Sequence, residues 1–358
     1  MMKEVFIFGA GASHASGGVP LGKDLVWNYF EDCSTLYEIG SNGKPAPHDI
    51  EEKEREFINF GIFLKSIKDI FPNISEYEKW QQCMSEGEMH IPRIDKKYYI
   101  DEIMEALQQR GDKQNIRLIK RLTLEHIAGI SYTSQNLLYK KFVESLLGKP
   151  DSQVSIISFN FDCLLHEDFK NKIYFDYLLD FKYIDGNRLS YQKGRGIPLI
   201  KLHGSLDWAY NLSTKEISLL FPHITSGTYK FDFGDKNCDW PEIEPYIFLP
   251  HQEKDKQIDV LWARAKEELR QARKITIIGY SFPVYDKDTV KLFQETIDSG
   301  VEIEVIEATE YASGLERRKE EFMRKYRSLF PNVESIKIYL EGFQGYIERI
   351  VSGRITPN

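Results

Sequence analysis

The sequence predicts an α/β chain: a parallel β-sheet with helices on both faces, into which a mainly helical subdomain is inserted. Three observations carry this. Short, continuous apolar runs recur, each preceded by helix-like sequence and closed by a glycine or a polar turn. The first of them, Val5 to Phe8, is apolar throughout, the pattern of a strand covered on both faces. Between the first and second runs lies a long stretch with helical spacing and no convincing strand, far more chain than a crossover between parallel strands needs.

The first run, Val5 to Phe8, ends in Gly9-Ala10-Gly11-Ala12, a buried strand entering a tight turn. The next are Val154 to Phe159, Ile275 to Ile278 before Gly279, and Val301 to Ile306. Helical periodicity fits residues 51–70, 98–109, 116–130 and 135–147, with Pro72, Pro92 and Gly111 as breakers. The expected division is therefore an α/β domain formed by residues 1–30 and 151–358, and an inserted helical subdomain over 31–150. Asp185-Gly186-Asn187, between the strand-like 181–184 and 188–191, predicts a hairpin, and 210–221 a second one. Beyond Glu307 the chain offers a charged helix over 312–328, a strand over 336–340 and a closing helix to about Val351. Internal repeats and low-complexity tracts are absent.

Composition narrows the classes. The 358 residues suit two domains, or one with an insertion, at about 150 residues each. With 42% hydrophobic residues, the chain can offset its ordering entropy and is not disordered as a whole. Its net charge of −8 opposes a general phosphate-neutralising surface. The basic cluster Arg317, Arg318, Lys319, Arg324, Lys325 and Arg327 is interleaved with Glu316, Glu320 and Glu321, as on a solvated helix face, so direct nucleic-acid binding is not expected. Cys33, Cys83, Cys163 and Cys238 are scattered without a CxxC pair, which predicts no metal site, no disulfide framework and a reducing, cytoplasmic setting. The N-terminus imitates a short signal peptide at Ala10-Gly11-Ala12, but Glu4 cancels Lys3 and the apolar run is short. No run approaches the ~18 apolar residues of a membrane span.

In a parallel α/β sheet, ligands sit outside the carboxyl ends of the strands, so the residues after each run carry the chemistry. Gly9, Ala10, Gly11 and Ser13 form a glycine turn leading into a helix, suited to bringing backbone amides and a helix N-terminus near a pyrophosphate. The GxGxxG fingerprint is not met, since His14 stands where its third glycine belongs. Asn160 and Asp162 follow the second run; a carboxamide and a carboxylate there could orient water, or merely end the strand as turn residues do. His203 stands before Gly204, and a histidine there can act as a general base or proton relay, or can be structural. Gly279 and Ser281 end the third run in a pattern suited to a phosphate or ribose, and Glu307 closes the fourth, where an acid could bond a ribose or simply be solvated.

Taken together and in order, these segments resemble the sirtuin family, the silent-information-regulator-two group. The correspondences are a GAGxSxxSG-like stretch from Gly9 with Gly18 after it, a T-x-N-x-D-like segment at Ser158 to Asp162, K-x-H-G-S at Lys201 to Ser205, and G-x-S at Gly279 to Ser281. The resemblance implies a Rossmann-like sheet that binds NAD and a smaller inserted module. It departs from the deacylating members in two ways. Of the four cysteines of their zinc module only Cys238 follows His203, and their G-I-P-D-F-R segment keeps only a glycine and a proline, at Gly18 and Pro20. The remaining pattern resembles bacterial sirtuin-like proteins of antiphage defence that hydrolyse NAD.

What the resemblance implies is an NAD+ hydrolase that releases nicotinamide and ADP-ribose, with NAD as substrate and no metal. By the same resemblance Asn160 orients water and ribose, Asp162 contacts the nicotinamide side or holds the loop, and His203 bonds ribose hydroxyls and relays a proton. Gly9, Ala10, Gly11, Ser13, Gly18, Gly279 and Ser281 line the cofactor, with Glu307 near the adenosine ribose. Regulation is expected from homo-oligomerisation or from a partner ATPase or sensor protein. The rival expectations are an NAD-dependent protein deacylase and a catalytically idle NAD-binding assembly subunit. Both Asn160 and His203 are expected at strand ends, where truncation costs little stability.

Overall fold

The computed structural model describes residues 3–19, 21, 58, 60–65, 67–71, 75–86, 100–133, 137–165, 175–183, 194–219, 222–225, 228–231, 243–248, 255–283, 286–308 and 315–353. Its strands are β1 (Glu4–Phe8), β2 (Val154–Ser158), β3 (Phe175–Asp176), β4 (Phe181–Tyr183), β5 (Ile197–Lys201), β6 (Gly204–Asn211), β7 (Ile217–Leu219), β8 (Pro222–Thr225), β9 (Thr228–Phe231), β10 (Ile243–Ile247), β11 (Lys274–Ile278), β12 (Glu302–Ile306) and β13 (Ser335–Tyr339). The helices are α1 (Ala10–Gly17), α2 (Glu76–Glu86), α3 (Ile100–Gln109), α4 (Lys113–Thr133), α5 (Leu137–Leu146), α6 (Lys256–Gln271), α7 (Lys287–Thr296), α8 (Leu315–Leu329) and α9 (Gly342–Val351).

Seven strands form one sheet in the order β13-β12-β11-β1-β2-β5-β3. Every pairing in it is parallel. This is a doubly wound, Rossmann-like α/β architecture, with the parallel sheet that the apolar runs predict and the Rossmann-like form that the resemblance implies. From β1 the chain builds outward through β2 and β5, then returns to β11 on the other side of β1, so the winding reverses between β1 and β11. Such a switch point opens a crevice at the carboxyl ends of the strands. The register makes those ends level: Phe8 pairs with Ser158 and Ile278, Ser158 with Lys201, and Ile278 with Ile306. Gly9, Asn160, His203, Gly279 and Glu307 thus follow five strands that stop in one line.

Side-chain alternation assigns the helices to faces. Phe6 and Phe8 point to one face, where Phe142 of α5 meets their rings edge-on at 4.9 and 5.0 Å. Phe343 of α9 joins them, 5.7 Å from Phe8 and 5.2 Å from Tyr139. Val5 and Ser155, paired across β1 and β2, point to the opposite face, where the Ser155 hydroxyl donates to Glu268 of α6. Phe142 is wholly buried, and its truncation to alanine would cost about 3–5 kcal/mol.

A second sheet runs β10-β6-β7-β4, and β8 pairs with β9. Strands β6 and β7 form the hairpin expected after Tyr210, with Asn211 accepting from Ser213 N and Thr214 N to close the turn. The other expected hairpin needs residues 184–193, which lie outside the described residues; β4 instead pairs in parallel with β7.

Two compact units emerge. One comprises residues 1–19, 127–248 and 253–358, the other 20–126 and 249–252. In the second, Phe60, Phe63, Leu64, Ile67, Ile103, Met104 and Leu107 are buried. The first unit holds the seven-stranded sheet and α5. That helix, read from sequence as part of the insertion, buries Tyr139, Phe142, Val143 and Leu146 and lies on β1.

Candidate active site

The site builds from two glycine loops at the switch point. Gly9 N donates to Ile278 O at 3.1 Å and Gly11 N to Gly279 O at 3.0 Å, so the turns after β1 and β11 lie backbone against backbone. A Cβ on Gly279 would stand 2.3 Å from Ala12 N, at a φ of +64° that side chains rarely adopt, and one on Gly9 would stand 2.5 Å from Tyr280 Cα. These glycines are therefore required by the closeness of the two turns, whatever else they do. Ala10 is exposed at the start of α1, and among the described residues no side chain caps that helix. Gly18 closes the far end of α1 in a left-handed conformation, about 12 Å away by helical rise.

Asn160 is 6% exposed and fixed from three sides. Its Nδ2 donates to Gly9 O at 2.9 Å and to Ser13 Oγ at 2.8 Å, and stands 3.3 Å from the Tyr139 hydroxyl. A carbonyl only accepts, so the Gly9 contact sets which end of the carboxamide is nitrogen. The opposite atom, Oδ1, is buried and has no hydrogen-bond partner among the described residues. A buried acceptor left open in this way is costly and calls for a ligand or a water.

Ser13 is wholly buried and 3.0 Å from Tyr139 Oη, so its hydroxyl positions Asn160 instead of facing out toward a phosphate. Burial, with the Asp162 charge adding to it, raises the Tyr139 phenol well above its ordinary value and keeps it protonated. Asp162 is buried, with Oδ1 accepting from Leu164 N at 3.1 Å, the turn-forming bond that a strand-ending aspartate makes. Lys201 Nζ fastens the same loop by donating to Asp162 O at 2.5 Å.

His203 is the open member, its side chain 22% exposed. The Phe159 ring meets the imidazole edge-on at 5.2 Å and stacks on Tyr280 at 4.1 Å. Nε2 of His203 faces Asp286 Oδ2 at 3.5 Å. Burial alone would raise the Asp286 carboxyl, but His203, the Tyr280 hydroxyl and the Thr289 side chain outweigh it and hold the group well below the usual carboxylate range.

On the other side of the switch point Ser281 is exposed, and its carbonyl accepts from Lys325 Nζ at 2.5 Å. Phe282, next in the chain, has a φ of +49°, a strained conformation for a bulky residue. Glu307 accepts from the Tyr326 hydroxyl at 2.6 Å. Burial raises its carboxyl, opposed by Tyr326 and Lys325.

The strand ends thus bring Gly9, Ser13 and Asn160 into direct contact and set His203 and Glu307 in the same line, with Gly18 a helix length away. Sequence reasoning did not single out Tyr139 or Asp286. Tyr139 reads as one more apolar position of an amphipathic helix. Asp286 reads as a helix cap, which it also is, accepting from Thr289 N at 3.3 Å. A cavity of about 360 Å³ lies elsewhere, lined by Glu4, Phe6, Lys149, Lys274, Glu304 and Arg349 near the opposite edge of the sheet. Its charges pair with one another, Lys149 with Glu4 at 2.9 Å and Lys274 with Glu304 at 3.0 Å. Among the described residues no group of three or more His, Cys, Asp or Glu side chains could hold a metal ion, and no helix is long and apolar enough to cross a membrane.

No family model and no curated protein matches the chain. Solved structures do. One describes the mechanism and regulation of Sir2 enzymes, with 13% identity, coverage of 99% of this chain and 94% of that one, and a TM-score of 0.41. Another, on sirtuin substrate affinity, shows 12% identity, 98% and 93% coverage, and a TM-score of 0.42. A mutant Sir2 homologue in complex with ADP ribose shows 14% identity, 100% and 96% coverage, and a TM-score of 0.44.

Proposed function

We propose that this chain is an NAD+ hydrolase that cleaves the N-glycosidic bond of NAD to give nicotinamide and ADP-ribose. The observation that carries the reading is Asn160: a carboxamide locked at the switch point through Nδ2, with Oδ1 buried and open. In the reaction the C1′–N1 bond breaks with its electron pair going to the pyridinium nitrogen, so nicotinamide leaves neutral and the ribosyl group becomes cationic. Water adds to C1′ and loses a proton. A fixed carbonyl oxygen suits this chemistry, because it can accept from the attacking water and face developing positive charge without reorganising. His203, half-open one strand away, is the group able to bond ribose hydroxyls and take up the proton.

Gly9, Ala10, Gly11 and the start of α1 form the phosphate side, and Glu307 the adenosine side. Unchecked hydrolysis of a shared cofactor would kill the cell, so activity is held in check by assembly of copies of the chain or by a partner, in keeping with the resemblance to antiphage-defence proteins. The test is incubation of the purified full chain with NAD, with no acylated peptide present, while nicotinamide and ADP-ribose are followed. Equal release of both is the expected result. Nicotinamide release that requires an acyl-lysine peptide would replace hydrolysis by deacylation.

A further inference from the structure

We propose that Asp286 is the positioning residue for His203: it holds the imidazole with its proton on Nε2 and leaves Nδ1 as the atom that accepts a proton during turnover. The inference rests on the hydrolase reading for its function, but the pair itself is a matter of geometry. Phe159 lies between His203 and Tyr280, edge-on to the first at 5.2 Å and stacked on the second at 4.1 Å. The Tyr280 hydroxyl donates to Asp286 Oδ2 at 2.5 Å, and the same oxygen faces His203 Nε2 at 3.5 Å. The four side chains close a ring, so the carboxylate cannot swing away without giving up Tyr280.

The other carboxylate oxygen is also tied. Oδ1 of Asp286 accepts from Thr289 N as the N-cap of α7, where the helix dipole favours an anion. Among the described residues, the groups around the imidazole are Asp286 from the start of α7 and the Phe159 and Phe161 rings from the loop after β2, with the Tyr280 phenol reaching the same carboxylate. Of these Asp286 alone is charged near neutrality. A carboxylate facing one ring nitrogen fixes the proton there and leaves the other nitrogen as acceptor. At 3.5 Å the contact is longer than a good hydrogen bond, as such contacts commonly are before substrate tightens them. When Nδ1 takes a proton from a ribose hydroxyl or from water, the imidazolium keeps its Nε2 proton against Asp286, which stays deprotonated throughout.

The experiment uses the full chain with nitrogen-15-labelled histidine, assigning the His203 signals with a His203→Gln variant. Wild type should show the Nε2-protonated tautomer. In Asp286→Asn the amide oxygen can accept from Thr289 N and keep the helix cap, and the NH2 group then turned toward His203 cannot accept. It should lose the tautomer preference, and kcat for nicotinamide release should fall roughly 10- to 100-fold with KM changed less than about threefold, the scale for losing the partner that orients a functional histidine. An Nδ1-protonated His203 in the wild type overturns the proposal without any variant. An unchanged tautomer in Asp286→Asn, or a changed tautomer with wild-type kcat, does the same. The hydrolase reading fails only if the wild-type chain releases no nicotinamide even in its assembled state, and in either case the tautomer decides the pair.

Discussion

Asn160 and His203 follow neighbouring strands of one sheet edge, and the protein holds them in opposite ways. The carboxamide is nearly sealed and carries contacts to Gly9, Ser13 and Tyr139 on one nitrogen. The imidazole keeps a fifth of its surface open and rests between aromatic rings and the Asp286 carboxylate 3.5 Å away. The difference follows the work proposed for each. A group that orients water gains from a geometry fixed before substrate arrives. A group that moves a proton must be reachable and must change partners during turnover. One strand end is thus built as part of the core with one atom left open, and its neighbour as part of the rim.

The sharpest way to break this comparison is to truncate each side chain and measure turnover and melting on the same preparations. Asn160→Ala should lose about 10²-fold or more of nicotinamide release, and it should also lose about 1–3 kcal/mol of stability, because Gly9 O and the two hydroxyls lose their donor. This differs from the sequence-based expectation that a strand-end truncation is cheap, and the reason is burial. His203→Ala should lose a similar ~10²-fold in turnover while staying within ~0.5 kcal/mol of wild-type stability, since it leaves no sealed polar group behind. Equal destabilisation by both variants would dissolve the contrast, and near-wild-type turnover in both would remove the site from these strand ends.

A smaller effect probes what holds the carboxamide. Ser13→Ala should cost about 1 kcal/mol and up to ~10-fold in turnover, since Asn160 keeps Gly9 O but loses its shortest contact. Turnover unchanged beside a clear drop in melting temperature would make Ser13 purely structural. The sheet and its ligand edge were legible in the sequence because several of its strands are dominated by apolar residues and close on a glycine or polar residue at the carboxyl end, as at Phe8-Gly9 and Ile278-Gly279. What was not legible depends on packing between distant segments. Nothing local marks Tyr139 as the partner of Ser13, 126 residues earlier. Asp286 is obscured by its cap, because capping explains an aspartate before a helix without recourse to His203. The glycine turn illustrates the converse: its glycines are demanded by the contact between two backbones, which no reading of one segment can supply.

The finest distinction concerns Glu307, which stands at a third strand end and is partly buried against Tyr326. Burial pushes its carboxyl up from the ordinary value, with the Tyr326 hydroxyl and the Lys325 charge pulling the other way. A group whose proton is held more tightly in the folded than in the unfolded chain contributes stability in full below its unfolded value, about 4.3, and loses that contribution as pH rises through the folded value. Ionised Glu307 therefore costs the protein stability at neutral pH. Glutamine in its place retains an oxygen to accept from Tyr326 and cannot ionise. Glu307→Gln should thus melt slightly higher than wild type at pH 7, with the advantage shrinking to nothing as pH falls below about 4, where both side chains are neutral. If the carboxylate also bonds a ribose, the variant should show a several-fold higher KM for NAD with kcat nearly unchanged, as expected for binding shared by ground and transition states. A lower melting temperature at pH 7 would show that the charge is needed opposite Lys325, which would make this strand end a structural ion pair and leave Asn160 and His203 as the functional edge.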